Sequence, residues 1–178
     1  MAEHVAFIGI PSVAPAEMRE SANGQTGLGS MGYHMAGHIR KKMSPSATLY
    51  INDIYRSSCE RFKEEFGSLG QVDIVDTPKE AATKATIVMT IVPRAPDVRK
   101  IYLDETTGIS QAPKNPNRLL LECSTIDIES TLDVAKKVTE AGSGVYIDTP
   151  VSVRARPPCP PTWMRLCLCQ NAQPGRAV

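Results

Sequence analysis

Gly27-Leu28-Gly29-Ser30-Met31-Gly32 is a G-x-G-x-x-G run that opens directly onto a helical pattern. Glycines at that spacing let the backbone turn tightly and come close to a phosphate. A helix starting there presents unpaired N–H groups and a positive dipole end to the same phosphate. Asp53 stands 21 residues beyond Gly32, just after the apolar stretch Leu49-Tyr50-Ile51. A carboxylate at that distance can accept hydrogen bonds from ribose hydroxyls, and it repels a 2′-phosphate. The chemistry implied is the grip on a dinucleotide, NAD in preference to NADP. Arg56, three residues on, is a cation that would soften that preference.

Three later groups share one property: each closes an apolar run. Val92-Pro93 ends Thr86–Val92, Ser124-Thr125 follows Leu119–Leu121, and Ser152 follows Val145–Ile147. In an open α/β sheet the C-terminal ends of the strands are where ligands bind. Ser124 and Thr125 can hydrogen-bond a carboxylate or a nicotinamide, or simply cap the helix that follows. Pro93 can equally be a plain strand terminator. His34 and His38 lie four apart on the first helix but off its apolar face, with no third ligand indicated. They read as solvent-exposed, and no metal site is expected.

The elements that must position these groups alternate regularly. Strands are expected at Val5–Ile8, Leu49–Ile51, Val72–Val75, Thr86–Val92, Leu119–Leu121 and Val145–Ile147. Helices are expected over Met31–Lys42, Ser57–Phe66, a short stretch from Pro78, Asp97–Tyr102 and Ser130–Ala141. Apolar residues at helical spacing support the helices, with Leu132, Ala135 and Val138 expected inward in the last. Thr77-Pro78-Lys79-Glu80 is a capping box with proline at the first helical position. The β-branched run Thr86–Val92 suits a central strand covered on both faces. Residues 104–117 read as a polar loop. Six strands joined by crossover helices imply an α/β, doubly wound parallel sheet of Rossmann type.

Bulk composition sets outer bounds. With 178 residues and 42% hydrophobic content, the chain can bury one ordinary core. Lys+Arg 20 against Asp+Glu 19 gives net charge +1, which argues against a nucleic-acid binder. No apolar run reaches the roughly 20 residues of a membrane span. Met1-Ala2-Glu3-His4 leads straight into a strand, which leaves no room for a signal peptide and makes a cytoplasmic location the expectation from signals alone. Five cysteines without a secretory signal do not form a disulfide framework. Cys59 and Cys123 sit in apolar patterns and are expected as buried thiols. Cys159, Cys167 and Cys169 lack the paired spacing of a zinc site.

Val5-Ala6-Phe7-Ile8-Gly9, joined to Gly27 through Ala36, resembles the opening of the β-hydroxyacid dehydrogenases, in the 3-hydroxyisobutyrate dehydrogenase branch, whose cofactor domain is of the 6-phosphogluconate dehydrogenase type. Glu122-Cys123-Ser124-Thr125-Ile126-Asp127 is similar to that family's substrate motif. Asp148-Thr149-Pro150-Val151-Ser152 is similar to its next motif. The resemblance implies that Gly27, Leu28, Gly29, Ser30, Met31 and Gly32 hold the pyrophosphate and Asp53 the adenosine ribose. Val92, Pro93 and Thr125 would line the nicotinamide side, and Ser124 and Ser152 would meet the substrate carboxylate. The implied reaction is hydride transfer between a small 3-hydroxy acid and NAD, with NADP also admitted. The family is often mitochondrial.

The chain departs from the family pattern twice. Residues 10–26 separate the first strand from the glycine run, so either Gly9 or Gly27 can be the first glycine of the cradle. As an inserted loop, such a stretch costs only about 2–3 kcal/mol of closure entropy. After Ser152 the family continues Gly-Gly, whereas this chain reads Val153-Arg154-Ala155-Arg156. Residues 153–178 carry five prolines, three cysteines, four arginines and no acidic residue. They read as a disordered, non-family tail beyond a dinucleotide-binding domain of residues 1–152. The family's catalytic lysine and C-terminal all-helical domain have no counterpart, because no lysine follows Lys137. No catalytic residue is therefore assigned, and weak dimerisation and catalytic incompetence are expected. A non-enzymatic nucleotide-binding or regulatory module, or a faulty gene model, are the alternatives.

Overall fold

The computed structural model describes residues 4–9, 28–152 and 167–168, with backbone alone at 28–30, 152, 167 and 168. Its strands are β1 (Val5–Ile8), β2 (Leu49–Asn52), β3 (Val72–Ile74), β4 (Ile87–Thr90), β5 (Leu119–Glu122) and β6 (Val145–Asp148). Between them run α1 (Leu28–Lys42), α2 (Arg56–Phe66), α3 (Pro78–Lys84), α4 (Ala95–Leu103) and α5 (Ile128–Ala141). The six strands form one wholly parallel sheet in the order β3-β2-β1-β4-β5-β6. This is the Rossmann-type order expected from the sequence. Chain direction across the sheet reverses between β1 and β4, which opens a crevice at their C-terminal ends. A two-residue strand β7 (Val151–Ser152) pairs antiparallel with β8 (Cys167–Leu168).

Period-two alternation distributes the core to both faces of the sheet. Val5 and Phe7 of β1 join Leu49, Ile51 and Val72 in a cluster with Met31, Tyr33, Phe62 and Phe66 from α1 and α2. Ala6 and Ile8 face the other way, with Val88 and Leu120, toward Ala81, Val98, Tyr102, Val134 and Val138 of α3, α4 and α5. Caps fix the helix ends. The Thr77 hydroxyl accepts from Glu80 N–H at 3.1 Å, and Asp127 Oδ1 accepts from Ser130 N–H at 2.8 Å. Gly142 closes α5 in the left-handed conformation, with φ of 67°.

The orientation of α1 follows from one side chain. Arg40, wholly buried near the end of the helix, donates to Ala47 O at 2.6 Å, Ser44 O at 2.6 Å, Gln71 O at 3.2 Å and Met43 O at 3.3 Å. Ala47 and Gln71 lie just before β2 and β3. The C-terminal end of α1 is therefore fastened to the N-terminal edge of the sheet. The helix runs antiparallel to the strands, and its 15 residues span about 22 Å toward the opposite edge.

Three expectations need correction. The first helix begins at Leu28 rather than Met31, so Leu28 to Ser30 are helical rather than loop. Leu132 points outward at 64% exposure, because the buried stripe of α5 runs through Ser130, Val134 and Val138 at four-residue spacing. The 104–117 segment is no plain polar loop. Its 3-10 turn Ile109–Gln111 drives Ile109 fully into the core, and Asp104 Oδ1 ties the backbone N–H groups of Thr106 and Thr107.

Candidate functional site

The strand register places Asn52, Ile8, Thr90, Glu122 and Asp148 in one row across the sheet. The residues one step further, Asp53, Gly9, Ile91, Cys123 and Thr149, form the rim at the C-terminal edge. Main-chain bonds continue the ladder through that rim: Gly9 N–H donates to Asn52 O at 3.0 Å, Ile91 N–H to Ile8 O at 3.1 Å and Cys123 N–H to Thr90 O at 2.8 Å.

Gly9 sits at the switch between β1 and β4. Its φ is 86°, and a Cβ there would overlap the Ile91 carbonyl oxygen and meet Val92 Cγ1 at 3.0 Å. No other residue fits, which is the tight-turn role that the first glycine of a phosphate cradle plays. Gly27 lies outside the described residues. Leu28, Gly29 and Ser30 form the first turn of α1, and Met31 and Gly32 are buried behind it. The first four N–H groups of that helix have no partner within it. Since α1 runs antiparallel to the strands, they face the C-terminal edge.

Asp53 directly follows β2, half-buried, with Oδ1 accepting from Tyr55 N–H at 2.7 Å. The Arg56 guanidinium bonds Asp76 at 2.6 Å and lies 3.6 Å from Glu60. Both pairs are exposed and contribute little to stability.

On the other side of the crevice, Val92 is half-buried and Pro93 exposed. Ser124 is buried, and its hydroxyl oxygen accepts from Val92 N–H at 2.8 Å. Thr125 is exposed, with its hydroxyl 3.2 Å from Val151 O. Gly9, Asp53, Val92, Pro93, Ser124 and Thr125 are thus gathered on one edge. Ser152 belongs to β7 by its backbone, and its side chain lies outside the described residues, as do 10–26 and most of the tail. Among the described residues no three metal-binding side chains cluster.

Sequence reasoning assigned no role to the polar group beneath this rim. Glu122 is fully buried, and burial pushes its carboxyl above the usual range. The signal was present as a lone carboxylate ending the apolar run Leu119–Leu121, opposite Thr90 in register.

The two described thiols are buried as expected. Burial, with the nearby Asp53 charge, pushes Cys59 up to about 12, and burial pushes Cys123 up to about 11, from an ordinary 9.0. The folded chain holds these protons where the unfolded chain has released them. Their contribution to stability is complete below pH 9 and is lost as pH rises through 11–12. The urea midpoint is expected to fall across that alkaline window, and Cys59→Val to flatten part of the fall.

The NAD binding domain of 6-phosphogluconate dehydrogenase matches this chain over residues 23–155. The chain belongs to that family. A probable mitochondrial 3-hydroxyisobutyrate dehydrogenase of Dictyostelium discoideum is 33% identical over 129 residues, 72% of this chain and 37% of that protein. The chain therefore spans about a third of the length of the curated relatives it matches. Among solved structures, 3-hydroxyisobutyrate dehydrogenase of Mycobacterium tuberculosis with L-serine superposes with a TM-score of 0.61 at 22% identity, over 86% of this chain and 42% of that one. A reductive aminase of Aspergillus terreus, solved with NADPH and ethyl-5-oxohexanoate, gives 0.56 at 13% identity, over 86% and 42%. At such identity these structures speak for the fold. As a member of this family the chain carries an NAD-binding domain. No helix among its described residues is long and apolar enough to cross a membrane.

Proposed function

We propose that this chain is the dinucleotide-holding part of a 3-hydroxyisobutyrate-type dehydrogenase. Gly9 makes the turn, Gly29 and Gly32 open the helix that faces the pyrophosphate, Asp53 takes the adenosine ribose, and Val92, Pro93 and Thr125 flank the nicotinamide. The observation that carries this reading is the convergence of Gly9, with no space for a side chain, and Asp53 on neighbouring strands at the switch point. Either Gly9 or Gly27 can supply the first glycine of the motif, because deletion of Gly9–Thr26 joins Ile8 to Gly27 and leaves the same sequence as deletion of 10–27.

When bound, the nicotinamide supplies a hydride acceptor or donor. The residues of this chain bind and orient it, and Ser124 with Ser152 would orient a substrate carboxylate. No lysine follows Lys137 to stabilise a developing alkoxide or move its proton. This stretch alone is therefore expected to bind cofactor without turning over a 3-hydroxy acid. The names of the relatives support a mitochondrial setting.

NADH fluorescence titration of the purified chain tests the reading, with the Gly9–Thr26 deletion alongside. Saturable binding, tightened by the deletion, is expected; flat titrations of both proteins would overturn it. Asp53→Ala is expected to weaken NADH binding about tenfold, the equivalent of one charge-assisted hydrogen bond, and to weaken NADPH binding less.

A further inference from the structure

Beneath the rim, the side chains of Thr90, Glu122 and Ser124 and the N–H groups of Val92 and Ser124 form a polar ring closed through the main chain, with the Tyr102 hydroxyl attached at Thr90. Glu122 Oε1 accepts from Ser124 N–H at 2.7 Å, and Oε2 accepts from the Thr90 hydroxyl at 2.7 Å. The Thr90 and Tyr102 hydroxyls lie 2.9 Å apart. The Ser124 hydroxyl oxygen takes the Val92 N–H at 2.8 Å. Thr90 to Val92 leads out of β4, and Glu122 to Ser124 leads out of β5. The ring therefore cross-links the first residues of two loops that the dinucleotide reading above assigns to the nicotinamide side. Thr90 and Tyr102 are wholly buried, Ser124 nearly so, and among the described residues no cation forms an ion pair with Glu122. A buried carboxylate kept without a counter-ion costs free energy unless its acceptor sites are filled. Here they are filled by the groups that set the two loops.

We propose that Glu122 is a positioning residue: by holding Ser124 and Thr90 together it sets the Val92–Pro93 and Ser124–Thr125 loops at the spacing that the nicotinamide end of the cofactor requires. The ionised form accepts from both the Thr90 hydroxyl and the Ser124 N–H. The titratable groups facing it are Tyr102 from α4, Tyr146 and Asp148 from β6, and the adjacent Cys123, none of them cationic. Protonation of Glu122 on Oε2 reverses its bond with Thr90 and turns two charge-assisted hydrogen bonds into weaker neutral ones. Cofactor affinity is therefore expected to fall as pH drops through the titration of this carboxyl.

Two readouts test this on the whole chain. In the first, backbone amide resonances of Ser124 and Val92 are followed against pH without cofactor. They are expected to shift together with one midpoint in the native chain and not to shift in Glu122→Gln. Independent movement, or none, would overturn the ring as a coupled unit whatever the chain binds. In the second, NADH affinity is measured across the same pH range. Glu122→Gln is expected to bind about tenfold more weakly above the amide midpoint and to lose the part of the pH dependence that tracks that midpoint. Equal affinity at every pH would overturn the proposal. Absence of NADH binding in the native chain, with the amides still coupled, would instead overturn the dinucleotide reading. Should Glu122→Gln not fold, Glu122→Asp keeps the charge and is expected to retain the pH dependence at reduced affinity; its loss there would count against the proposal.

Discussion

Gly9→Ala is expected to lower the melting temperature by about 6–12 °C, corresponding to roughly 3 kcal/mol for a chain of this size. Two costs combine. A residue with a Cβ loses about 1–2 kcal/mol in the left-handed region, where Gly9 holds φ of 86°. The Cβ must also displace the Ile91 carbonyl, which is backbone and belongs to the neighbouring strand's exit, so overpacking adds about 1–3 kcal/mol. Because Ile91 leads into Val92, the displacement also reaches the rim, and NADH binding is expected to weaken beyond what the stability loss explains. Gly67→Ala is the control: φ there is −64° and nothing lies within 4 Å of the added carbon, so its melting temperature is expected to hold or rise slightly. Similar behaviour of the two variants in a thermal melt would refute the claim about space at Gly9.

Arg40→Met is expected to cost about 3–5 kcal/mol, read as a lower urea midpoint without a changed slope. The guanidinium fills four main-chain carbonyls from inside the fold. Methionine fills the volume but leaves those acceptors unanswered, each worth about 1–3 kcal/mol when it stays buried. Arg40→Lys is also expected to destabilise, because an ammonium cannot fork to loops preceding two different strands. The surroundings are shaped to this fork. A Cβ on Gly70 would lie 2.8 Å from both Cζ and Nη2 of Arg40, and Gly70 holds a positive φ of 141°. A midpoint for Arg40→Met within about 1 kcal/mol of the native chain would show that the loops can rehydrate their carbonyls.

The sheet was legible because its signals are local. Val5–Ile8 and Thr86–Val92 are apolar runs too short for helices, and each helix between strands carries a cap or an apolar stripe. Asp53 was legible because distance along the chain from the glycines fixes its place at the end of β2. Three features were not legible, each for a physical reason. The onset of α1 depends on how the chain leaves β1 across residues 10–26, which no periodicity describes. Leu132 was assigned inward from its apolar character, but the α4 and β6 contacts select the Val134–Val138 stripe. Arg40 carries no burial signal by type, and Glu122 only that of a lone carboxylate closing the apolar run Leu119–Leu121. Only the register that brings carbonyls around one, and Thr90 and Ser124 around the other, reveals them as buried.

Arg40 has a counterpart across the sheet. Arg118, just before β5, donates to Ser143 O at 2.5 Å and Pro113 O at 3.1 Å, which fastens the entry of β6. Both guanidiniums bind neutral carbonyls, so neither bond dissolves in salt or titrates at any pH a cell meets. The sheet is thus riveted by permanent cations along the edge where its strands begin, while the exits of β4 and β5 are held through a carboxyl that can take up a proton. Acidity can therefore loosen the ribs of the fan while the handle stays shut, which confines its effect to the crevice and spares the core.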